Sequence, residues 1–334
     1  MKAEYFRYLL EFKRPSGTSR GVLREKETFI LEISENGKTG VGECAVFRGL
    51  SFDDRPDYEE KLQWLCKNIQ KDPEFLKEHL ISFPSIWFGY EQAKLNLEHG
   101  ENLYFPSEFT DGTVPVTING LIWMGSIDYM EEQIRDKLDQ GFHCIKLKIG
   151  VNWESEHEIL KALRQKFSKE VLELRVDANG GFTKDEAKTV LQQLADLQIH
   201  SIEQPVKAGH WSDMAELCSG TPTPIALDEE LIGITDFHEK IKLLEAIKPQ
   251  YIILKPALVG GFAGSDEWIS LAEQQNIGWW ITSALESNIG LNAIAQYTFT
   301  KKSPMPQGLG TGALFVNNFE THLDLQGESL WFKI

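Results

Sequence analysis

The chain has 334 residues, 42% of them hydrophobic and 25% charged, and a formal net charge of −16; this is the make-up of an ordinary soluble globular protein, and its negative field would repel nucleic acid, so no such partner is expected. No apolar run approaches the ~20 residues needed to cross a bilayer, so no membrane partner is expected, and Met1-Lys2-Ala3-Glu4-Tyr5, with no basic stretch before an apolar core, gives no expectation of a signal peptide. Cys44, Cys66, Cys144 and Cys218 are scattered without a CxxC pair, which predicts reduced thiols in a cytoplasmic protein.

Residues 1–110 predict an α+β domain. Thr28 to Ile33 is apolar and β-rich, Glu35-Asn36-Gly37-Lys38 is a hairpin turn, and Thr39 to Ala45 resumes the strand. Helical patterns follow at Tyr58 to Ile69, with Leu62, Leu65 and Ile69 on one side, and at roughly Ile86 to Leu97. The polar stretch Pro106 to Gly112 reads as a link to a different architecture.

From residue 111 the pattern alternates between strand and helix. Val114 to Ile122 is the first strand. Ser126 opens a helix carrying Met130, Ile134 and Leu138, stopped by Gly141. His143 to Ile149, Leu172 to Ala178, Ser201 to Glu203, Pro224 to Asp228, Tyr251 to Lys255, Gly278 to Ser283 and a weak segment at Gln307 to Gly310 complete eight strands. Between them lie a helix at Ser155 to Phe167 and another behind a Thr183/Glu186 capping box, with Val190, Leu194 and Leu197. The prediction is an α/β protein with a (β/α)8-type barrel over residues 111–312, an N-terminal α+β capping domain over 1–110 and a C-terminal tail at 313–334. A doubly wound open sheet is the competitor, but no Gly-rich phosphate loop follows the first strand.

Polar residues interrupt these apolar strands at regular intervals. In Cys144-Ile145-Lys146-Leu147-Lys148-Ile149, alternation gives one face to the apolar residues and the other to both lysines. Helices cover the outside of a barrel, so Lys146 and Lys148 are expected to point inward. Asp177, Glu203 and Asp228 sit at the ends of successive strands, 26 and 25 residues apart, with Lys148 29 residues before the first and Lys255 27 after the last. One βα unit of a barrel is about 30 residues, so each step advances one strand at the C-terminal face, where barrel active sites lie. Any one such acid often merely caps the following helix; three in succession bracketed by lysines point to chemistry.

Three acids from neighbouring strands converge on a hard cation, Mg²⁺ or alternatively Mn²⁺. Lys148 and Lys255, four strands apart in a ring of eight, would face each other across the mouth. A carboxylate substrate on the cation would present its α-carbon to a lysine, and the positive charge would stabilise the anion formed on deprotonation. Lys146 beside Lys148 would make the latter a better base. Weaker candidates for substrate contact are Asn179, on the face of Asp177; Gly260 and Gly261, as bare backbone; Ser283 and Leu285, where strand seven opens into a helix; and Arg20, with Arg48, in loops of the first domain.

The Lys146-Leu147-Lys148 and Lys255 pattern, with its three acids, resembles the enolase superfamily and, within it, the muconate-lactonizing-enzyme subgroup. Phe83-Pro84-Ser85-Ile86-Trp87-Phe88-Gly89-Tyr90-Glu91, Lys255-Pro256-Ala257-Leu258-Val259-Gly260-Gly261, Ser283-Ala284-Leu285-Glu286-Ser287 and Gly308-Leu309-Gly310-Thr311-Gly312 are most similar to its o-succinylbenzoate synthase family. The resemblance implies syn dehydration of a small-molecule carboxylate, 2-succinyl-6-hydroxy-2,4-cyclohexadiene-1-carboxylate, to 2-succinylbenzoate in menaquinone biosynthesis. It also implies that Lys148 moves the proton, Lys255 lies over the ring as a cation, Lys146 tunes Lys148, and Asp177, Glu203 and Asp228 hold Mg²⁺, with the tail returning to the cap. N-acylamino acid racemase or dipeptide epimerase is the alternative, although Gly308 to Gly312 lacks the acidic pair of the epimerases. A catalytically inactive barrel acting as a binding protein is the reading from a different class. Oligomeric state is left open.

Overall fold

A computed structural model describes residues 1–18 and 21–334. Three antiparallel strands, β1 (Lys2–Thr18), β2 (Gly21–Glu35) and β3 (Lys38–Cys44), form the N-terminal sheet. Asn36 and Gly37, both at positive φ, make the tight turn that joins β2 to β3. Three helices cover one face: α1 (Tyr58–Asn68), α2 (Pro73–Leu80) and α3 (Pro84–His99). Phe29, Leu31 and Ile33 of β2 are buried against Leu62 and Leu65 of α1, Leu76 and Leu80 of α2, and Ile86 and Ala93 of α3. Gly40 and Gly42 allow α3 to lie directly on β3, since a Cβ at either would come within 2.1 Å of a carbonyl oxygen of that helix.

The chain then passes through β4 (Val116–Thr117) and β5 (Gly120–Ile122), α4 (Ile127–Asp139), β6 (Cys144–Lys148), α5 (Trp153–Lys166), β7 (Glu173–Asp177), α6 (Lys184–Asp196) and β8 (Ser201–Glu203). It continues with α7 (Trp211–Gly220), β9 (Ile225–Leu227), α8 (Phe237–Ile247), β10 (Tyr251–Leu254), α9 (Pro256–Val259), α10 (Gly261–Gln274), β11 (Gly278–Ile281) and α11 (Asn288–Thr300). β5 to β11 form one parallel sheet in sequential order. Gln307 and Gly308 close the ring. Gln307 bridges to Ile118, with Asn119 N–H donating to the Gln307 carbonyl at 2.9 Å, while Gly308 bridges to Thr282 and donates to the Ile281 carbonyl at 2.8 Å.

The first barrel strand differs from expectation. Only Gly120–Ile122 pairs with β6; Val116–Thr117 pairs antiparallel with β13 (Ser329–Phe332), which forms a hairpin with β12 (Leu323–Gln326). One continuous apolar run therefore serves two sheets. Residues 314–316 lie along β1, with Lys13 N–H on the Leu314 carbonyl at 2.8 Å and Val316 N–H on the Glu11 carbonyl at 2.9 Å.

The outward faces of the barrel strands supply the main core: Ile145, Leu147, Leu174, Val176, Ile202, Leu227, Ile252 and Ile281 are buried beneath Leu160, Val190, Leu194, Leu243 and Leu271 of the helices. Inside the barrel, Ala226, Ile253 and Trp280 form a floor, and the Arg175 guanidinium stacks 4.4 Å from the Trp280 ring centre. The register aligns Lys148 with Asp177 and Asp177 with Glu203, so these side chains stand at one height at the C-terminal rim. Among the described residues no helix is long and apolar enough to cross a membrane.

Two carboxylates of the N-terminal domain fasten it over that rim. Glu43, fully buried, accepts hydrogen bonds from Ser287 and from Gly290 N–H at the start of α11. Glu91 accepts from Phe262 N–H at 2.6 Å and Ala263 N–H at 3.0 Å at the start of α10, and burial pushes its pKa up to about 8. Helix N-termini attract anions through their unpaired N–H groups and dipole.

Candidate active site

The strand pleat turns Lys146 and Lys148 of β6 into the barrel, because Ile145 and Leu147 between and before them are buried outward under the helices. Asp177 ends β7, Glu203 ends β8, Asp228 follows β9 and Lys255 follows β10. Together they make an arc of alternating charge. Lys148 Nζ lies 3.0 Å from Asp177 Oδ2; Lys146 Nζ lies 3.1 Å from the same oxygen and also contacts Glu203; Lys255 Nζ contacts Asp228 and lies 3.8 Å from Glu203 Oε1. β6 and β10 are four strands apart in the sheet order.

All six side chains are nearly closed to solvent, with Asp177, Glu203 and Asp228 each 2% exposed or less. Burial opposes charge on Lys146 and Lys255, but the adjoining carboxylates outweigh it and hold both pKa values above the ordinary lysine range. Burial likewise disfavours charge on Asp177, yet the three lysines keep it well below the usual carboxylate range. Glu203 is pushed up, by burial first and then by Asp177 and Asp228 on either side.

Among the described residues no three His, Cys, Asp or Glu side chains stand at the mutual spacing of a ready-made metal cage. Here the ammonium groups of Lys146 and Lys255 separate the carboxylates. The donor set nevertheless suits a hard divalent cation: three carboxylates from adjacent strands, and a buried Glu203 Oε1 without a hydrogen-bond donor among the described residues. One cation drawing the acids together would release the two amines to solvent or substrate.

Asn179 stands beside the base candidate, its Oδ1 accepting from Lys148 Nζ at 2.7 Å. Its Nδ2 donates to Glu229 Oε1 at 3.0 Å, and its backbone is held at φ 43°. Above the charged arc, Phe47 and Leu50 of the N-terminal domain meet Leu121, Trp123 and Leu285 to form an apolar wall. The lining also includes Asn119, Thr282, Ser283, Gly310 and Thr311, and the Asn119 Oδ1 and Thr282 Oγ1 atoms are buried without hydrogen-bond partners among the described residues. Ser283 Oγ donates to Glu286 at 2.6 Å and accepts from Thr311 Oγ1 at 2.8 Å, which fixes the turn where Leu285 adopts φ 64°.

Gly260 and Gly261 are not brought to this cavity. Gly261 faces Glu91, whose Oε2 lies 2.0 Å from where a Cβ would stand, so the bare backbone admits the carboxylate of the N-terminal domain rather than a ligand. Arg20 lies outside the described residues, and Arg48 is bound to Glu27 and Asp54. Sequence reasoning passed over Glu229, Trp123, Phe47 and Leu50. Glu229 was obscured by Asp228 and Glu230 on either side, whereas Trp123, directly after the first barrel strand, could have been read as a rim residue. Gln133 of α4 fixes Trp123 by bonding both its N–H, at 2.9 Å, and its carbonyl, at 3.0 Å.

Comparison with known proteins matches residues 129–320 to the family model "Enolase C-terminal domain-like" and residues 1–97 to "MenC, N-terminal domain". An o-succinylbenzoate synthase of Desulfotalea psychrophila is 42% identical, over 98% of this chain and 98% of that protein. The crystal structure of MenC from Desulfotalea psychrophila superposes with a TM-score of 0.88 at 39% identity, covering 99% of both chains. The o-succinylbenzoate synthase of Thermosynechococcus elongatus, solved with Mg in its active site, shares the fold at a TM-score of 0.75, 24% identity and 92% coverage of both chains.

Proposed function

We propose that this chain, which belongs to the enolase superfamily, is a hydro-lyase of the o-succinylbenzoate synthase type, converting 2-succinyl-6-hydroxy-2,4-cyclohexadiene-1-carboxylate to 2-succinylbenzoate and water in menaquinone biosynthesis. Identity of 42% to a synthase over 98% of the chain favours this reading over the racemase and epimerase alternatives, and the complete set of three acids and three lysines favours it over an inactive barrel. The observation that carries the site assignment is the alternating arc of Lys148, Asp177, Lys146, Glu203, Lys255 and Asp228 at the barrel rim.

Lys148 is the base. To act so it must present a lone pair: with two N–H groups accepted by Asp177 Oδ2 and Asn179 Oδ1, the amine would keep its lone pair for the α-proton of a substrate in the cavity it lines. The C–H bond breaks, its electron pair passes into the carboxylate, and the proton rests on Lys148. When the pair returns to form the ring double bond, the C–O bond breaks and Lys148 gives the same proton to the departing hydroxyl, which leaves as water. Lys255, from the opposite strand, faces the developing anion as an ammonium. Lys146, between Asp177 and Glu203, keeps positive charge behind Lys148. Asp177, Glu203 and Asp228 would hold Mg²⁺, or Mn²⁺ in its place, which when bound supplies positive charge to the substrate carboxylate. Phe47, Leu50, Trp123 and Leu285 exclude water from the ring, and Asn119 and Thr282 offer polar atoms to the remote end of the substrate.

Purified protein with Mg²⁺ and the cyclohexadiene acid tests this by the rise of aromatic absorbance. Turnover to 2-succinylbenzoate is expected. No aromatic product, together with α-proton exchange in N-succinylamino acids, would replace the hydro-lyase with a racemase.

A further inference from the structure

We infer that Glu229 is a positioning residue, fixing the amide of Asn179 so that Lys148 is held as a proton acceptor aimed at the substrate; the inference rests on Lys148 being the base. An asparagine side chain presents a donor at one end and an acceptor at the other, and nothing in its own shape selects between them. Glu229 makes the selection. Its carboxylate only accepts, so the amide nitrogen of Asn179 must face it, at 3.0 Å, and the amide oxygen must face Lys148, at 2.7 Å. The reversed amide would set Nδ2 against the Lys148 amine, where it would donate to the lone pair and occupy the position that must take the substrate proton.

Glu229 is itself held by a rigid turn. It opens the short helical turn Glu229–Leu231 directly after Asp228, and Gln204 Oε1 accepts from Asp228 N–H at 3.2 Å and Glu230 N–H at 3.3 Å. Glu230 completes the clamp by accepting from Gln204 Nε2 at 3.0 Å and Gly209 N–H at 2.7 Å. Asn179 is tied at its other end, its own N–H bonded to Asp177 Oδ1 at 3.1 Å. The result is a chain from β9 to β6, Glu229 to Asn179 to Lys148, whose one outcome is the direction of the Lys148 lone pair. A second consequence explains the residue types: a glutamine at 229 could satisfy either amide orientation and would abolish the selection.

The test compares Glu229→Gln, Asn179→Ala and the double variant, all as Mg²⁺-loaded enzyme. Each single change is expected to lower kcat about 10- to 100-fold, the usual range for partners one step removed from the reacting group, with KM, thermal midpoint and Mg²⁺ affinity by calorimetry nearly unchanged. The double variant should be no slower than the slower single variant. Losses that multiply, or a Glu229→Gln variant that loses Mg²⁺ affinity while kcat at saturating metal is normal, would overturn the inference. Should the unmodified enzyme yield no aromatic product, the hydro-lyase reading fails by itself; the positioning role is then judged by the crystal structure of Glu229→Gln. Lys148 Nζ is expected to leave Asn179 Oδ1 there, and an unaltered contact would refute the role.

Discussion

Replacing Glu43 by alanine tests whether the N-terminal domain is fastened to the barrel by a buried charge. Glu43 accepts from Thr28 Oγ1 at 2.8 Å, Ser287 N–H at 3.0 Å, Ser287 Oγ at 2.6 Å and Gly290 N–H at 3.0 Å, and it lies 4.0 Å from Lys26 Nζ. Lys26 is only 6% exposed and its amine has no hydrogen-bond partner among the described residues, where Glu43 is its nearest counter-charge. Alanine leaves two N–H groups at the start of α11 and the Ser287 hydroxyl without this acceptor, and takes from Lys26 the largest of the acidic influences on it. Removing one member of such a buried pair costs about 3–5 kcal/mol, and the lost charged hydrogen bonds fall within that figure once water enters the space. Burial lowers the Lys26 pKa while Glu43 opposes the shift. Without Glu43 the ammonium penalises the fold for as long as it stays protonated, so the deficit should narrow as pH rises and the amine loses its proton. Urea unfolding followed by tryptophan fluorescence, at neutral and alkaline pH, measures both effects. Adding Lys26→Met should recover part of the loss. A deficit below about 1 kcal/mol at neutral pH would refute the reasoning, since a solvated surface carboxylate costs no more than that.

Three further outcomes follow from the site and the seam. Lys148→Ala should lose at least about a hundredfold in kcat, as for other removed general bases, while retaining circular dichroism and Mg²⁺ binding; near-normal turnover would remove Lys148 from the mechanism. Trp123→Ala, which opens the apolar wall above the arc, should raise KM more than it lowers kcat in steady-state assays. Glu91 has a folded pKa raised to about 8 against an ordinary value of 4.5, so the folded protein holds its proton longer than the unfolded chain. Its contribution is therefore greatest in acid and declines between those two pKa values, by up to about 1.4 kcal/mol per pH unit. In thermal melts Glu91→Gln should lack this decline; parallel pH profiles would contradict it.

The barrel and its charged rim were legible because the strand period is so regular. One polar residue at each strand end, spaced by one βα unit, can be counted in the sequence without knowing the structure. What could not be read depends on partners distant in sequence. β1 is a long edge strand whose charged residues mask its alternation, and its pairing with β2 supplies what the pattern lacks. β4 was merged into the first barrel strand because its true partner, β13, comes more than two hundred residues later. Gly260 and Gly261 looked like a ligand cradle because bare backbone signals close approach without naming what approaches; at Gly261 it is Glu91. The apolar wall escaped notice since Phe47, Leu50 and Trp123 resemble core residues until the N-terminal domain is set over the barrel.

A crystal grown with Mg²⁺ and 2-succinylbenzoate measures the central arrangement directly. One cation should bind Asp177, Glu203 and Asp228 together at about 2.1 Å, with the ammonium groups of Lys146 and Lys255 withdrawn from between them and the product carboxylate lying between Lys148 and Lys255. Density showing those three carboxylates still paired only with lysines, and the product bound elsewhere, would contradict the account.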